Sequence, residues 1–213
     1  MTHHSAVRQG RLSHAHIQSQ FVYGPTQIHY SHLLHVLRYL HGTTSRCLFF
    51  PRSSSLRLHA YSDATWASDS SDRRSLSAYC VFLGGSLIAW KTKKQVAVSR
   101  SSAEAELRAM ALVTAEVTWL RWLLEDFGVS VSRPTPLLSD STGAISIARD
   151  PVKHELTKHI GVDASYTRAQ VQDDVIALQY VPSELQLADF FTKAQTRVQH
   201  RFYLSKLSVV DPP

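Results

Sequence analysis

The sequence predicts an α/β fold, a mixed sheet whose two faces are covered by helices. Three observations carry that expectation. Between residues 56 and 94 there are three successive β-rich runs, the last two joined by Gly84-Gly85-Ser86, a hairpin signal. Immediately afterwards, residues 99–128 read as one long amphipathic helix. Beyond it, short apolar strands alternate with helical segments. A chain of 213 residues, 44% hydrophobic, is enough for one such domain plus an appendage.

Residues 1–20 carry His, Ser, Gln and Arg without periodicity and are expected to be poorly ordered. Pro25 opens an amphipathic segment with Ile28, Leu33, Leu34, Leu37 and Leu40, closed by Gly42, which predicts a helix of about four turns. His29, His32 and His35 recur every third residue. Three such steps drift around a helix, so one ion cannot easily take all three, and they read as a solvated edge. Leu56, Leu58 and Ala60 alternate with Arg57, His59 and Tyr61, a half-buried strand that leads into Ser62-Asp63-Ala64. A polar loop with Asp69, Asp72, Arg73 and Arg74 follows. The hairpin strands are 78–83 and 87–90, and the second exits into Lys91, Lys93 and Lys94, with Arg100 close behind. Beside Trp90, this basic cluster has two readings, a contact to a nucleic-acid backbone or a solvated strand end.

The long helix buries Met110, Val113, Val117, Leu120 and Leu124, spaced by threes and fours, and ends at Phe127-Gly128. One step toward the N-terminus, the same stripe reaches Glu106. A carboxylate at an inward position must be protonated, paired or bound to a cation. Glu104 has a local explanation, because Ser101-x-x-Glu104 is a capping box. Next, 136–139 is a short strand ending at Asp140, which is either an N-cap for the following helix or a ligand group at a strand's C-terminal end. Ile160, Ala164, Thr167 and Val171 mark a further helix, and 175–181 another strand. His154-Glu155 with His159 lacks the spacing of a zinc-protease motif, because Lys158 stands where the second His belongs. Ser183-x-x-Gln186 reads as another capping box, whose helix carries Asp189 in its second turn. There it either complements the helix dipole or serves a site. A last amphipathic helix is expected over 198–207.

The formal net charge of +6 favours a polyanionic partner. Cys47 and Cys80 have neither metal-ligand spacing nor the density of a disulfide scaffold, so they read as small buried thiols. The first ten residues have no apolar core and no run approaches the ~20 residues that span a bilayer. A soluble, intracellular protein without membrane contact is expected.

Taken together, Asp63, Glu106, Asp140 and Asp189 fall at a first strand, a central helix, the end of a fourth strand and a late helix. That order of elements and acids resembles ribonuclease H. The blocks Tyr61-Ser62-Asp63-Ala64, Asp72-Arg73-Arg74-Ser75, Ser99-Arg100-Ser101-Ser102-Ala103-Glu104-Ala105-Glu106, Thr157-Lys158-His159-Ile160 and Gln186-Leu187-Ala188-Asp189 are similar to the ribonuclease H end of copia-type retrotransposon Pol polyproteins. The resemblance spans residues 21–207, and residues 21–50 look like the trailing edge of a reverse transcriptase region. It divides the chain into 1–50, a poorly ordered start plus a helix, and 51–213, a ribonuclease H-like domain with a C-terminal helix.

The resemblance implies a five-stranded mixed sheet, strands 1 to 3 antiparallel, flanked by helices. It implies hydrolysis of the RNA strand of RNA–DNA hybrids with two Mg²⁺ ions, Mn²⁺ substituting, held by Asp63, Glu106, Asp140 and Asp189. Four converging carboxylates repel one another unless hard cations lie between them, which agrees with that implication. Arg73, Arg74, Lys91, Lys93, Lys94 and Arg100 are the expected phosphate contacts, and an upstream polymerase domain is the expected partner. The alternative is a folded remnant that binds nucleic acid with little or no turnover. Departures from the family pattern are Thr65, Ser165 and Val181-Pro182-Ser183-Glu184, where many relatives carry a mobile His. Asp173-Asp174 lacks the aromatic residue of a polymerase site, so no DNA synthesis is expected.

Overall fold

The computed structural model describes residues 22–150 and 160–211. The expected disordered start, the His154-Glu155-His159 group and most of the Thr157-Lys158-His159-Ile160 block lie outside those residues. In chain order the elements are α1 (Gln27–His41), β1 (Cys47–Leu48), β2 (Leu58–Thr65), β3 (Leu76–Leu83), β4 (Ser86–Lys94), α2 (Ser102–Asp126) and β5 (Thr135–Ser139). They continue with α3 (Thr142–Arg149), α4 (Gly161–Gln172), β6 (Ile176–Tyr180), a 3₁₀ turn (Ser183–Leu185), α5 (Asp189–Thr192), α6 (Arg197–Lys206) and β7 (Val209–Val210). No helix among the described residues is long and apolar enough to cross a membrane.

Residues 51–194 form one compact unit around a sheet of order β4-β3-β2-β5-β6. β2, β3 and β4 are antiparallel, whereas β5 runs parallel to both β2 and β6. This is the five-stranded mixed sheet of the ribonuclease H-like fold. The hairpin turns at Gly84, whose φ of +60° suits glycine, and a Cβ there would lie 2.1 Å from Ser54 Oγ. β2 begins at Leu58 rather than Leu56 and continues to Thr65, because its pairing with β3 persists to Thr65↔Leu76. Asp63 therefore lies within a strand.

α2 covers one face of the sheet. Leu107, Met110, Val113, Val117 and Leu120 are buried with Leu58, Ala60, Tyr79, Val81 and Leu137, while Leu124 packs at the margin. Full burial of each large apolar side chain contributes about 1.5–3 kcal/mol. Gly128, at φ +77°, follows the helix as expected of a C′ residue. Cys80 is buried in this unit.

Residues 22–50 and 195–211 form the second compact unit. Within it, β7 pairs with β1 (Cys47↔Val210). Tyr39 and His200 are also hydrogen-bonded, 3.1 Å apart, and Arg46 Nε donates to Asp211 at 3.2 Å. α1 starts one residue after its N-cap Thr26, so Pro25 precedes the cap rather than occupying the first turn. His29 completes the capping box by accepting from the Thr26 N–H, whereas His32 and His35 are exposed. Cys47 is only half-buried, a departure from the expected buried thiol.

Candidate active site

Parallel strands β2 and β5 end side by side, and three acids converge at those ends. Along β2, Leu58, Ala60, Ser62 and Ala64 face α2, so Asp63 faces the opposite side, 1% exposed. Ala64 packs against Ala105 and Ala109, and these small side chains let α2 approach the strand closely. That approach brings Glu106, 7% exposed, to the strand, where its Oε1 accepts the Ala64 N–H at 3.1 Å. Asp140 follows β5 directly. It is not the N-cap of α3, because Ser141 takes that role by accepting the Ala144 N–H at 3.2 Å. One carboxylate oxygen each from Asp63, Glu106 and Asp140 lies within 4.8 Å of the other two.

Asp189 stands outside that group of three and is tied to it through Lys193, in a segment that the sequence pattern misread. Ser183 and Gln186 do not form a capping box. Ser183 Oγ donates to Asp140 Oδ2 at 2.6 Å. The fully buried Gln186 donates to the Ser62 carbonyl at 3.0 Å and accepts the Ala188 N–H at 3.2 Å. The chain between them makes only a 3₁₀ turn, and Asp189 begins the short helix α5 rather than sitting in a second turn. The side chains that follow Asp189 return to the site. Thr192 Oγ1 donates to Asp63 Oδ2, and Lys193 Nζ lies 2.6 Å from Asp189 Oδ1 and 3.4 Å from Asp63 Oδ1.

Burial and mutual repulsion govern the charges here. Desolvation first, and then the charge of Asp63, push the Glu106 carboxyl up to about 9. The same two causes raise Asp189 to about 7. The Lys193 ammonium is held charged by Asp189 and Asp63 against the opposing effect of its burial. Glu106 Oε2 is buried without a hydrogen-bond partner. Hard oxygen donors at this spacing, in a cluster that also holds a buried, unpartnered carboxylate oxygen, suit a hard divalent cation.

Glu104 is more than a cap. Ser101 Oγ accepts its N–H at 3.2 Å, but its side chain, 3% exposed, accepts from Arg100 N–H at 2.7 Å rather than from Ser101. It also pairs with Arg108 at 2.9 Å.

Of the six basic groups, Lys94 is engaged by Asp69 and Asp72 at 2.6 and 2.9 Å, and Arg74 approaches Asp72 at 3.5 Å. Lys94 and the Ser71 donors hold Asp69 well below the usual carboxylate range. Arg73, Lys91, Lys93 and Arg100 are exposed. Lys91 and Lys93 pair with Tyr79 and Ser77, on the α2 face of the sheet, whereas Trp90 and Thr92 share the face of Asp63. Ser183, Thr192 and Lys193 were not singled out from sequence. The available signal was Lys193 at i+4 from Asp189 in a short helix.

Strand order and converging acids together define a ribonuclease H-like domain. Within that class the chain is a relative of the retrotransposon Pol polyproteins. It is 40% identical, over 92% of its own length, to the retrovirus-related Pol polyprotein from transposon RE1 of Arabidopsis thaliana. Over 89% of its length it is 32% identical to that from transposon TNT 1-94 of Nicotiana tabacum. The chain spans only 13% and 14% of those polyproteins. Among solved structures, the N-terminal ribonuclease H domain of a Mycobacterium tuberculosis protein is 13% identical with a TM-score of 0.46, covering 71% of this chain and 98% of that one. No protein-family model matches the chain.

Proposed function

We propose that residues 51–194 are a divalent-metal-dependent endonuclease that hydrolyses the RNA strand of RNA–DNA hybrids. The observation that carries this reading is the convergence of Asp63, Glu106 and Asp140, with one Glu106 oxygen buried and left without a hydrogen-bond partner. Asp63, Glu106, Asp140 and Asp189 would hold the cations. When bound, two Mg²⁺ ions (or Mn²⁺) supply charge stabilisation for a departing 3′-oxygen and a water of lowered pKa. Thr192 and Ser183 orient the Asp63 and Asp140 carboxylates by donating to one oxygen of each. The carboxylates act as ligands, so no covalent nucleophile is needed.

Arg73, Lys91, Lys93 and Arg100 are the phosphate contacts in this reading, Lys91 and Lys93 from the edge strand β4 although they lie on the face opposite Asp63, since Lys94 and Arg74 already have acidic partners. Such contacts position a duplex without reading its bases, and 2′-hydroxyls then distinguish the hybrid from DNA. We read residues 22–50 as resembling the end of a reverse transcriptase region, and an upstream polymerase domain as the natural partner. The deciding experiment is Mg²⁺-dependent cleavage of a labelled hybrid beside matched duplex DNA and duplex RNA. Cleavage of the hybrid's RNA strand alone is expected. Equal cleavage of duplex DNA would exclude the hybrid specificity, and binding without cleavage at any Mg²⁺ concentration would favour a remnant.

A further inference from the structure

We propose that Lys193 is the domain's own counter-ion, competing with the divalent cation for Asp63 and Asp189. This rests on the metal-binding reading above. Both Asp63 oxygens already carry a donor, Thr192 Oγ1 on Oδ2 and Lys193 Nζ on Oδ1. The ammonium also takes Asp189 Oδ1 at 2.6 Å, so it spans two of the four acids, as an ion would. A cation that binds Asp63 and Asp189 through those oxygens must therefore displace Nζ.

Placement makes displacement easy. Lys193 is the C-cap of α5, with extended backbone (φ −117°, ψ 148°), and its side chain is 43% exposed. It enters the cluster from the solvent side on a flexible four-carbon stem, and an ammonium is a compact point charge with rotatable donors. While it is in, its charge offsets the repulsion among carboxylates that burial intensifies. Lys193 therefore stabilises the metal-free domain and weakens the site's apparent cation affinity.

The test compares wild type with K193M, which keeps the chain length but loses the charge, and with K193R, which retains it. Mn²⁺ binding is measured by calorimetry without nucleic acid, and thermal unfolding is followed in EDTA. A half-exposed pair is worth on the order of 1 kcal/mol, so K193M is expected to bind Mn²⁺ about fivefold more tightly than wild type. It should also unfold at lower temperature in EDTA and gain more from added Mn²⁺. K193R should stay near wild type. K193Q provides the same comparison if K193M does not fold without metal. Unchanged or weaker Mn²⁺ binding by a folded neutral variant, with wild type binding normally, would overturn the counter-ion role and leave the metal reading intact. No Mn²⁺ uptake by any of the proteins would overturn both.

Discussion

Replacing Glu106 with Gln is expected to abolish cleavage and yet stabilise the metal-free fold. In the folded protein the Glu106 carboxyl sits at about 9, raised from 4.5 by burial and then by Asp63. A carboxyl whose folded value exceeds its unfolded one binds its proton more tightly when folded. Stability is therefore full below about pH 4.5 and declines as pH rises from there toward about 9. Each pH unit in that window costs ~1.4 kcal/mol, so the penalty accumulated at pH 7 is ~3 kcal/mol. The glutamine amide keeps an acceptor for the Ala64 N–H and has no proton to lose. In EDTA at pH 7, E106Q should unfold at a temperature roughly 5–10 °C above wild type. The gap should close toward pH 5 and widen toward pH 9. Adding Mg²⁺ should narrow it, because only wild type gains from binding the ion. The assay is thermal unfolding across pH 5–9 with and without metal. Parallel pH profiles for the two proteins, or a less stable E106Q at pH 7, would refute the assignment of Glu106 as a buried carboxyl held against its charge.

Three other outcomes are expected. D63N should lower hybrid cleavage about a thousandfold, since misplacing the cation costs several kcal/mol of transition-state stabilisation, with hybrid binding by gel shift nearly unchanged. Retained turnover in D63N would rule out Asp63 as a metal ligand. E104Q should behave oppositely to E106Q: it keeps an acceptor for Arg100 N–H but loses the Arg108 pair, so urea unfolding should show a loss of about 1 kcal/mol while single-turnover cleavage persists. If Arg73, Lys91, Lys93 and Arg100 each meet a phosphate, log affinity should fall against log salt with a slope of roughly −3 to −4. Raising salt from about 50 to 200 mM then weakens hybrid binding on the order of a hundredfold, and fusion to an upstream polymerase domain should restore it. A flat salt titration of the lone chain would show that these four side chains do not carry the affinity.

Periodicity and turn chemistry sufficed for elements whose residues answer to their immediate neighbours. The stripe from Met110 to Leu120 specified α2 and its buried face, Gly84-Gly85 specified the hairpin, and Glu106 showed itself as an acid on an apolar stripe. Sequence order also placed Asp63, Asp140 and Asp189 on separate elements. What local patterning could not decide was which of two partners a polar side chain takes. Ser183 and Gln186 have the spacing of a capping box, yet Asp140 and the Ser62 carbonyl, 43 and 124 residues away, claim them. A buried carbonyl without a donor costs more than a solvated helix end, so the distant partner wins. Similarly, Asp140 is released from capping because Ser141 is better placed. Lys94 read as a phosphate contact and Lys193 drew no reading at all. The fold turned one toward Asp69 and Asp72 and the other into the carboxylate cluster, because each amine goes where a nearby backbone has concentrated negative charge. Only tertiary structure determines where that charge collects.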